Sequence, residues 1–176
     1  MVLKKKYFDV QLEVLNSSIP LLAYTAESLN GKAIKFDLTK ILKGKNCEAR
    51  FMVHEKEKEL YGEMVSFSIY PSFIRKMIGH NISIIEESFA CKAKDANLRI
   101  KPFLITRKRV HRSVRTELRN KAKEFLTNTA ESLTKADFFQ YAINGTIQKD
   151  LSKHLKKIYP LAVSEIRVVE VVKTKK

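Results

Sequence analysis

At 176 residues, 44 % apolar and 30 % charged, the chain is long enough to bury a core, and its composition excludes a disordered or fibrous protein. Its formal net charge of +15 points to an anionic partner. The longest nearly apolar stretch, residues 19–26, is far too short to cross a bilayer, so no membrane partner is expected.

The N-terminus carries Lys4, Lys5 and Lys6, followed by alternating apolar and polar residues in place of the apolar run of a secretory signal, which predicts a cytoplasmic protein. Residues 1–31 read as a basic arm. Residues 7–12 could form a short strand, and Asn16-Ser17-Ser18-Ile19-Pro20 and Asn30-Gly31 punctuate a loosely ordered stretch. From 32 to 109 the pattern predicts a β-rich core with one short helix. Strands are expected over 33–42, 48–54 and 63–69, the last with clean alternation. Pro71 suits the first turn of a helix that buries Phe73, Ile74, Met77 and Ile78 and ends at Gly79. Residues 82–85 and 88–92 are strand candidates, Lys94-Asp95-Ala96-Asn97 supplies a turn, and 98–103 alternates apolar with basic side chains, Arg99 and Lys101 pointing outward.

Residues 110–176 read as a helical portion that returns to the same domain as a final strand. The spacing of Val114, Leu118, Ala122, Phe125 and Leu126 predicts a helix over 110–127. Thr134-Lys135-Ala136-Asp137 has a capping arrangement ahead of a second helix, Gly145 breaks it, and Ile147, Leu151, Leu155 and Ile158 mark a third, stopped by Pro160. Residues 163–172 are β-branched and strand-like. The expected class is α+β: an antiparallel, β-barrel-like core with a helical C-terminal third and a closing C-terminal strand. Cys47 and Cys91 lie far apart with no CxxC pairing and read as buried reduced thiols.

The chemistry concentrates between Arg99 and Lys123, where ten Lys or Arg residues face one acid, Glu117. Arg107, Lys108, Arg109, Arg112, Arg115 and Arg119 place six like charges within thirteen residues. Such crowding is costly unless a polyanion lies across it, and a phosphate backbone relieves the repulsion by exchanging condensed counterions for protein cations. On a helix, Arg112, Arg115, Arg119 and Lys123 fall on one stripe, spaced by turns of about 5.4 Å, and each guanidinium can grip a phosphate with two donors. The bland alternatives are a solvated helix face and a flexible basic loop at 107–109. Lys4–Lys6 and the tail 173–176 are weaker candidates for phosphate contact or solvated ends.

Tyr7, Phe8, Phe36, Phe51, Phe67, Phe73, Phe89, Phe103 and Phe138 sit at core-like periodic positions and do not interleave with the basic ridge, so phosphate and shape are expected to lead over base reading. His54, His80, His111 and His154 show no metal-ligand spacing, and five glycines leave little room for a phosphate loop. The HEKEKEL run reads as an exposed charged segment. Glu86-Glu87 could hold Mg²⁺ in a nuclease, although adjacent carboxylates near a turn are usually solvated. No catalytic residue, metal or cofactor is expected.

The segment DANLRIKPFLITRKRVHRSVRTELRNK resembles the signature region of the archaeal and eukaryotic small-subunit ribosomal proteins of the 3Ae family, also called the eukaryotic-type S-one family. Thr106, Arg107, Arg109, Ser113 and Arg119 fall where that pattern expects them; LKKKYFDV is similar to its lysine-rich opening and KIYPLAVSEIRVVEV to its closing helix and strand. Asp95-Ala96-Asn97 lacks the expected glycine, Gly79-His80-Asn81 stands where arginines are more usual, and the length, short for the eukaryotic branch, favours an archaeal or reduced form. The resemblance implies a structural, non-enzymatic constituent of the small ribosomal subunit, on the platform near the mRNA exit. It also implies contact with the 3′ region of the rRNA and with neighbouring ribosomal proteins. The expected rRNA contacts are Arg107, Lys108, Arg109, Arg112, Arg115, Arg119, Lys123, Arg99, Lys101, Lys4, Lys5 and Lys6. A free-standing RNA-binding or translation factor is the alternative, and a Mg²⁺-dependent nuclease a more distant one.

Overall fold

The computed structural model describes residues 4–42, 44–56 and 59–172. The chain opens with strands β1 (Lys6–Leu12) and β2 (Ser17–Ala23), an antiparallel hairpin whose turn places Asn16 at φ 47°, a left-handed conformation that asparagine tolerates. The punctuation at 16–18 thus marks a tight turn inside ordered structure. A single 3-10 turn (Glu27–Leu29) and Gly31 at φ +75° then lead into β3 (Ala33–Asp37). This strand ends short of the expected Leu42 because the Asp37 carboxylate accepts the Thr39 N–H at 2.8 Å, closing a local turn that sends Leu38 into the core. The same bonds, the Thr39 hydroxyl first, hold the Asp37 carboxyl below its ordinary pKa.

Strands β4 (Cys47–Lys56) and β5 (Glu59–Ile69) form the long central hairpin. One edge of β5 carries β4 over its full length, and β3 pairs beyond β4. The other edge is shared: β1 pairs in parallel with Leu60, Tyr61 and Gly62, while the last strand, β9 (Leu161–Val171), pairs antiparallel with Ser66, Phe67 and Ser68. Gly62 sits where β1 crosses. A Cβ there would lie 2.5 Å from Leu12 Cδ2, so the close approach of the hairpin depends on the missing side chain.

After the helix α1 (Pro71–Met77) come β6 (Ile84–Glu86), β7 (Phe89–Lys92) and β8 (Asn97–Thr106). Ile74 is the buried side chain of α1, and Ile78, expected inside, is exposed just beyond its end. Strand β8 runs three residues past the expected limit because Leu104, Ile105 and Thr106 are all buried against β9 and β6. The order is β2-β1-β5-β9-β8-β6, with β7 also on β8, and every pair except β1–β5 is antiparallel. The nine strands among the described residues form a sheet that is not closed, so the barrel-like core is an open sheet.

Helices α2 (Arg112–Ser132), α3 (Lys135–Asn144) and α4 (Thr146–Leu155) precede β9, giving the α+β order read from the sequence. Helix α2 continues five residues beyond 127 because Ala130 is buried and the Thr129 and Ser132 hydroxyls donate back to the carbonyls of Phe125 and Thr129, at 2.8 Å each. Thr134 caps α3 by accepting the Asp137 N–H. Gly145, at φ 76°, ends α3 and begins α4. Leu118, Ala122 and Leu126 of α2, Phe138 and Phe139 of α3, and Leu151 and Leu155 of α4 meet the sheet residues Leu98, Ile100, Ile166 and Val169 in one core.

Candidate nucleic-acid interface

The link from β8 to α2 carries Arg107, Lys108 and Arg109, all exposed. Their backbone is held by two buried hydroxyl residues. Thr106 Oγ1 accepts the Ser83 N–H at 2.9 Å and donates to the Lys108 carbonyl at 2.7 Å. Ser83 Oγ in turn accepts the Val110 N–H at 3.1 Å. A turn that contains three adjacent cations is therefore tied down at both ends to the strand edge, and the reading of 107–109 as a flexible loop does not describe it.

Helix α2 begins directly after, with His111 as an N-cap that makes no side-chain capping bond and no acid in the first turn. Arg112 and Arg115 project from these first turns and are exposed. Cations there oppose the positive end of the helix dipole, and together with uncapped first-turn amides they define an anion-seeking end. Among the described residues, Arg107, Lys108, Arg109, Arg112 and Arg115 make no ion pair.

Further along the helix the stripe changes character. Arg119 is half-buried and its Nε lies 3.1 Å from Glu87 Oε2. The Lys123 ammonium sits 5.9 Å from the centre of the Phe89 ring. These two cations fasten α2 to the turn and strand of β6–β7. Lys121, beside them, pairs with Glu124 at 2.8 Å, which raises its pKa through that hydrogen bond and charge. The adjacent carboxylates of Glu86 and Glu87 are drawn to different partners, Glu86 to Arg167 Nη1 at 3.4 Å and Glu87 to Arg119.

Arg99 and Lys101 alternate with buried Leu98 and Ile100 and face outward, as expected, but both lean on Glu170 of β9, at 4.0 and 3.7 Å. Lys4, Lys5 and Lys6 are exposed at the start of β1. Strands β1, β5 and β8 run the same way. Val10 stands level with Leu60 near the start of β5, whereas Lys101 stands level, through Val168, with Ser68 near its end. Lys6 and Thr106 thus lie toward opposite ends of the sheet. The structure brings 107–109, Arg112 and Arg115 together and leaves the N-terminal lysines as a separate basic surface. The tail 173–176 and Glu57 lie outside the described residues.

Of the aromatic residues expected in the core, Phe51, Phe67, Phe89, Phe103 and Phe138 are buried and Phe8, Phe36 and Phe73 partly so. Tyr7 is not: it is 74 % exposed, because odd positions of β1 face outward while Phe8, Val10 and Leu12 face the core. His54 lies 3.2 Å from Glu63, His154 packs on Phe125 with ring centres 5.3 Å apart, and His80 is exposed. Both thiols are buried, and desolvation pushes each up to about 11. The sequence reading missed Ser83. Its one signal is a small polar residue at an inward position of Ile82-Ser83-Ile84-Ile85, with Ile84 turned out.

A model of the ribosomal S3Ae family matches residues 2–175. The chain is 27 % identical over 172 residues to the small ribosomal subunit protein eS1 of Nanoarchaeum equitans (strain Kin4-M), covering 93 % of this chain and 87 % of that one. It is also 27 % identical over 166 residues to the protein of the same name from Saccharolobus islandicus (strain L.S.2.15 / Lassen #1), covering 92 % and 79 %.

Proposed function

We propose that this chain, which belongs to the ribosomal S3Ae family, is a structural constituent of the small ribosomal subunit that anchors itself to rRNA by gripping phosphates. One observation carries the reading of the site: Arg107, Lys108 and Arg109 on a turn stapled by buried hydroxyls, and Arg112 and Arg115 on the helix that follows it, are exposed and make no ion pair among the described residues. Because the backbone of the turn is already fixed, only side-chain freedom is lost on gripping phosphates, and the uncapped end of α2 adds backbone donors. Arg119, Lys123, Arg99 and Lys101 serve first to hold the protein together and flank the anchor. Lys4, Lys5 and Lys6 make a second contact at the other end of the sheet.

The small-subunit platform near the mRNA exit, with the 3′ region of the rRNA and neighbouring ribosomal proteins, is the environment this reading assigns to the protein, in the cytoplasm. Its work is scaffolding without catalysis. The separate engagement of Glu86 and Glu87 by two arginines favours that over a Mg²⁺-dependent nuclease, which needs both carboxylates turned to one ion.

The test is the salt dependence of binding to a small-subunit rRNA fragment. Replacing Arg107, Arg109, Arg112 and Arg115 by Gln should weaken binding and lower the slope of log K against log salt by roughly 0.7–0.9 for each phosphate released from the protein. An unchanged slope overturns the assignment. Co-sedimentation with small subunits through a high-salt wash separates a resident constituent from a factor, which the wash strips away.

A further inference from the structure

We infer that the outward face of the N-terminal hairpin is a stacking platform for unpaired RNA. This rests on the protein being an RNA binder but not on the arginine turn, which lies toward the other end of the sheet. In β1 and β2, Phe8, Val10, Leu12, Ile19, Leu21 and Ala23 turn to the core. The opposite face carries Tyr7 directly across from Leu22, and Tyr24 stands exposed just past the end of β2. Tyr7 is 74 % exposed, Tyr24 51 % and Leu22 50 %, three of the seven large apolar side chains that stand exposed among the described residues. Single exposed rings need no explanation, but a group on one face does.

The surroundings of that group select its partner. The Lys5 ammonium lies 5.4 Å from the centre of the Tyr24 ring, and Lys4 and Lys6 are exposed on either side of Lys5 in the chain, Lys6 toward the opposite face. Asp9, across from Pro20, is the one acid on the paired outward positions of the hairpin. Exposed rings edged by cations match a strand whose bases are free to stack while its phosphates meet ammonium groups. A duplex cannot use the rings, because its bases are already stacked. An apolar protein partner has no use for an ammonium held against the ring. Among the described strands β2 is the outermost of the sheet, so no further strand lies beside this edge of the platform.

The experiment uses the full chain with a fluorescein-labelled oligouridylate of about twelve nucleotides and a duplex of the same length. Tyr7→Ala with Tyr24→Ala should weaken single-strand binding between about fivefold and a hundredfold per ring, leaving duplex binding and the salt slope unchanged. Tyr7→Phe with Tyr24→Phe keeps the rings and should retain affinity. Equal single-strand affinity in the double-alanine variant overturns the inference, as does an equal loss for both RNAs. Loss of self-association, or of a co-sedimenting protein, with RNA affinity intact overturns it too and makes the face a protein-docking surface. Replacing Arg107, Arg109, Arg112 and Arg115 by Gln should weaken both RNAs. If only the tyrosine pair matters, the reading of the turn falls and this inference stands.

Discussion

Ser83 and Thr106, twenty-three residues apart in sequence, hold one another by reciprocal hydrogen bonds: the Ser83 N–H donates to Thr106 Oγ1 at 2.9 Å and the Thr106 N–H donates to the Ser83 carbonyl at 3.0 Å. Both are buried, and each spends its remaining capacity on the cationic turn, Thr106 on the Lys108 carbonyl and Ser83 on the Val110 N–H. The charged turn and the end of β8 are thus a single hydrogen-bonded unit, and the repulsion among its cations is resisted by the backbone.

Thr106→Val keeps the shape and removes the hydroxyl. The buried Ser83 N–H and the part-buried Lys108 carbonyl then lose a partner, which should lower stability by about 1–3 kcal/mol. Urea unfolding measures that cost. RNA affinity should also fall although no charge has been removed, and Thr106→Ser should recover most of both.

The cations of α2 divide by what they touch. Arg112→Gln and Arg115→Gln should each reduce the salt slope of RNA binding and leave the thermal midpoint within about 1 °C, since surface substitutions without partners cost little. Arg119→Gln should do the reverse, lowering the midpoint as Glu87 loses its partner, with a small effect on the slope. Filter binding across a salt series, paired with melting curves, separates the two groups.

Gly62→Val should loosen the N-terminal hairpin. The new Cβ would stand 2.5 Å from Leu12 Cδ2 and must displace that buried side chain, and the two added methyls need room beyond Val10 Cγ1 and Phe51 Cβ, already in contact at 3.5 Å. Overpacking of this kind costs about 1–3 kcal/mol. Hydrogen exchange should show faster exchange at residues 6–12 and 17–23 with β8 and β9 unaffected.

The buried thiols make stability fall at high pH. Cys47 and Cys91 ionise near 11 in the folded chain, raised chiefly by desolvation, against 9.0 when exposed. Between those values the unfolded chain releases protons the folded chain keeps. Unfolding is then favoured as pH rises, by up to about 2–3 kcal/mol per thiol. Below pH 9 the contribution is flat. Comparing the decline over pH 9 to 11 with that of a Cys47→Ala, Cys91→Ala variant isolates the effect, and thiol reagents at pH 8 should react only after unfolding.

The alternation of residues 63–69, the cap at Thr134 and the break at Gly145 were legible because each expresses a local rule, a period of two, a side-chain acceptor or a left-handed backbone. The cationic segment was legible for the same reason, being a composition. What escaped depends on contacts between distant residues. The parallel pairing of β1 with β5 leaves no mark on either strand beyond Gly62, whose meaning needs Leu12. The outward turn of Tyr7 follows from which face of β1 is covered, and Ser83 becomes part of the basic turn only through Thr106. Equally, nothing in the order of the arginines distinguishes Arg115, which pairs with no acid among the described residues, from Arg119, which Glu87 holds.

Strand β9 lies between β5 and β8, and those two never pair with each other. During synthesis, everything from β1 to α4 emerges before the segment that stitches the two halves of the sheet. Until residues 161–171 leave the exit tunnel, the halves have no shared hydrogen-bond ladder, and a nascent chain stalled before that point should remain open to protease between β5 and β8.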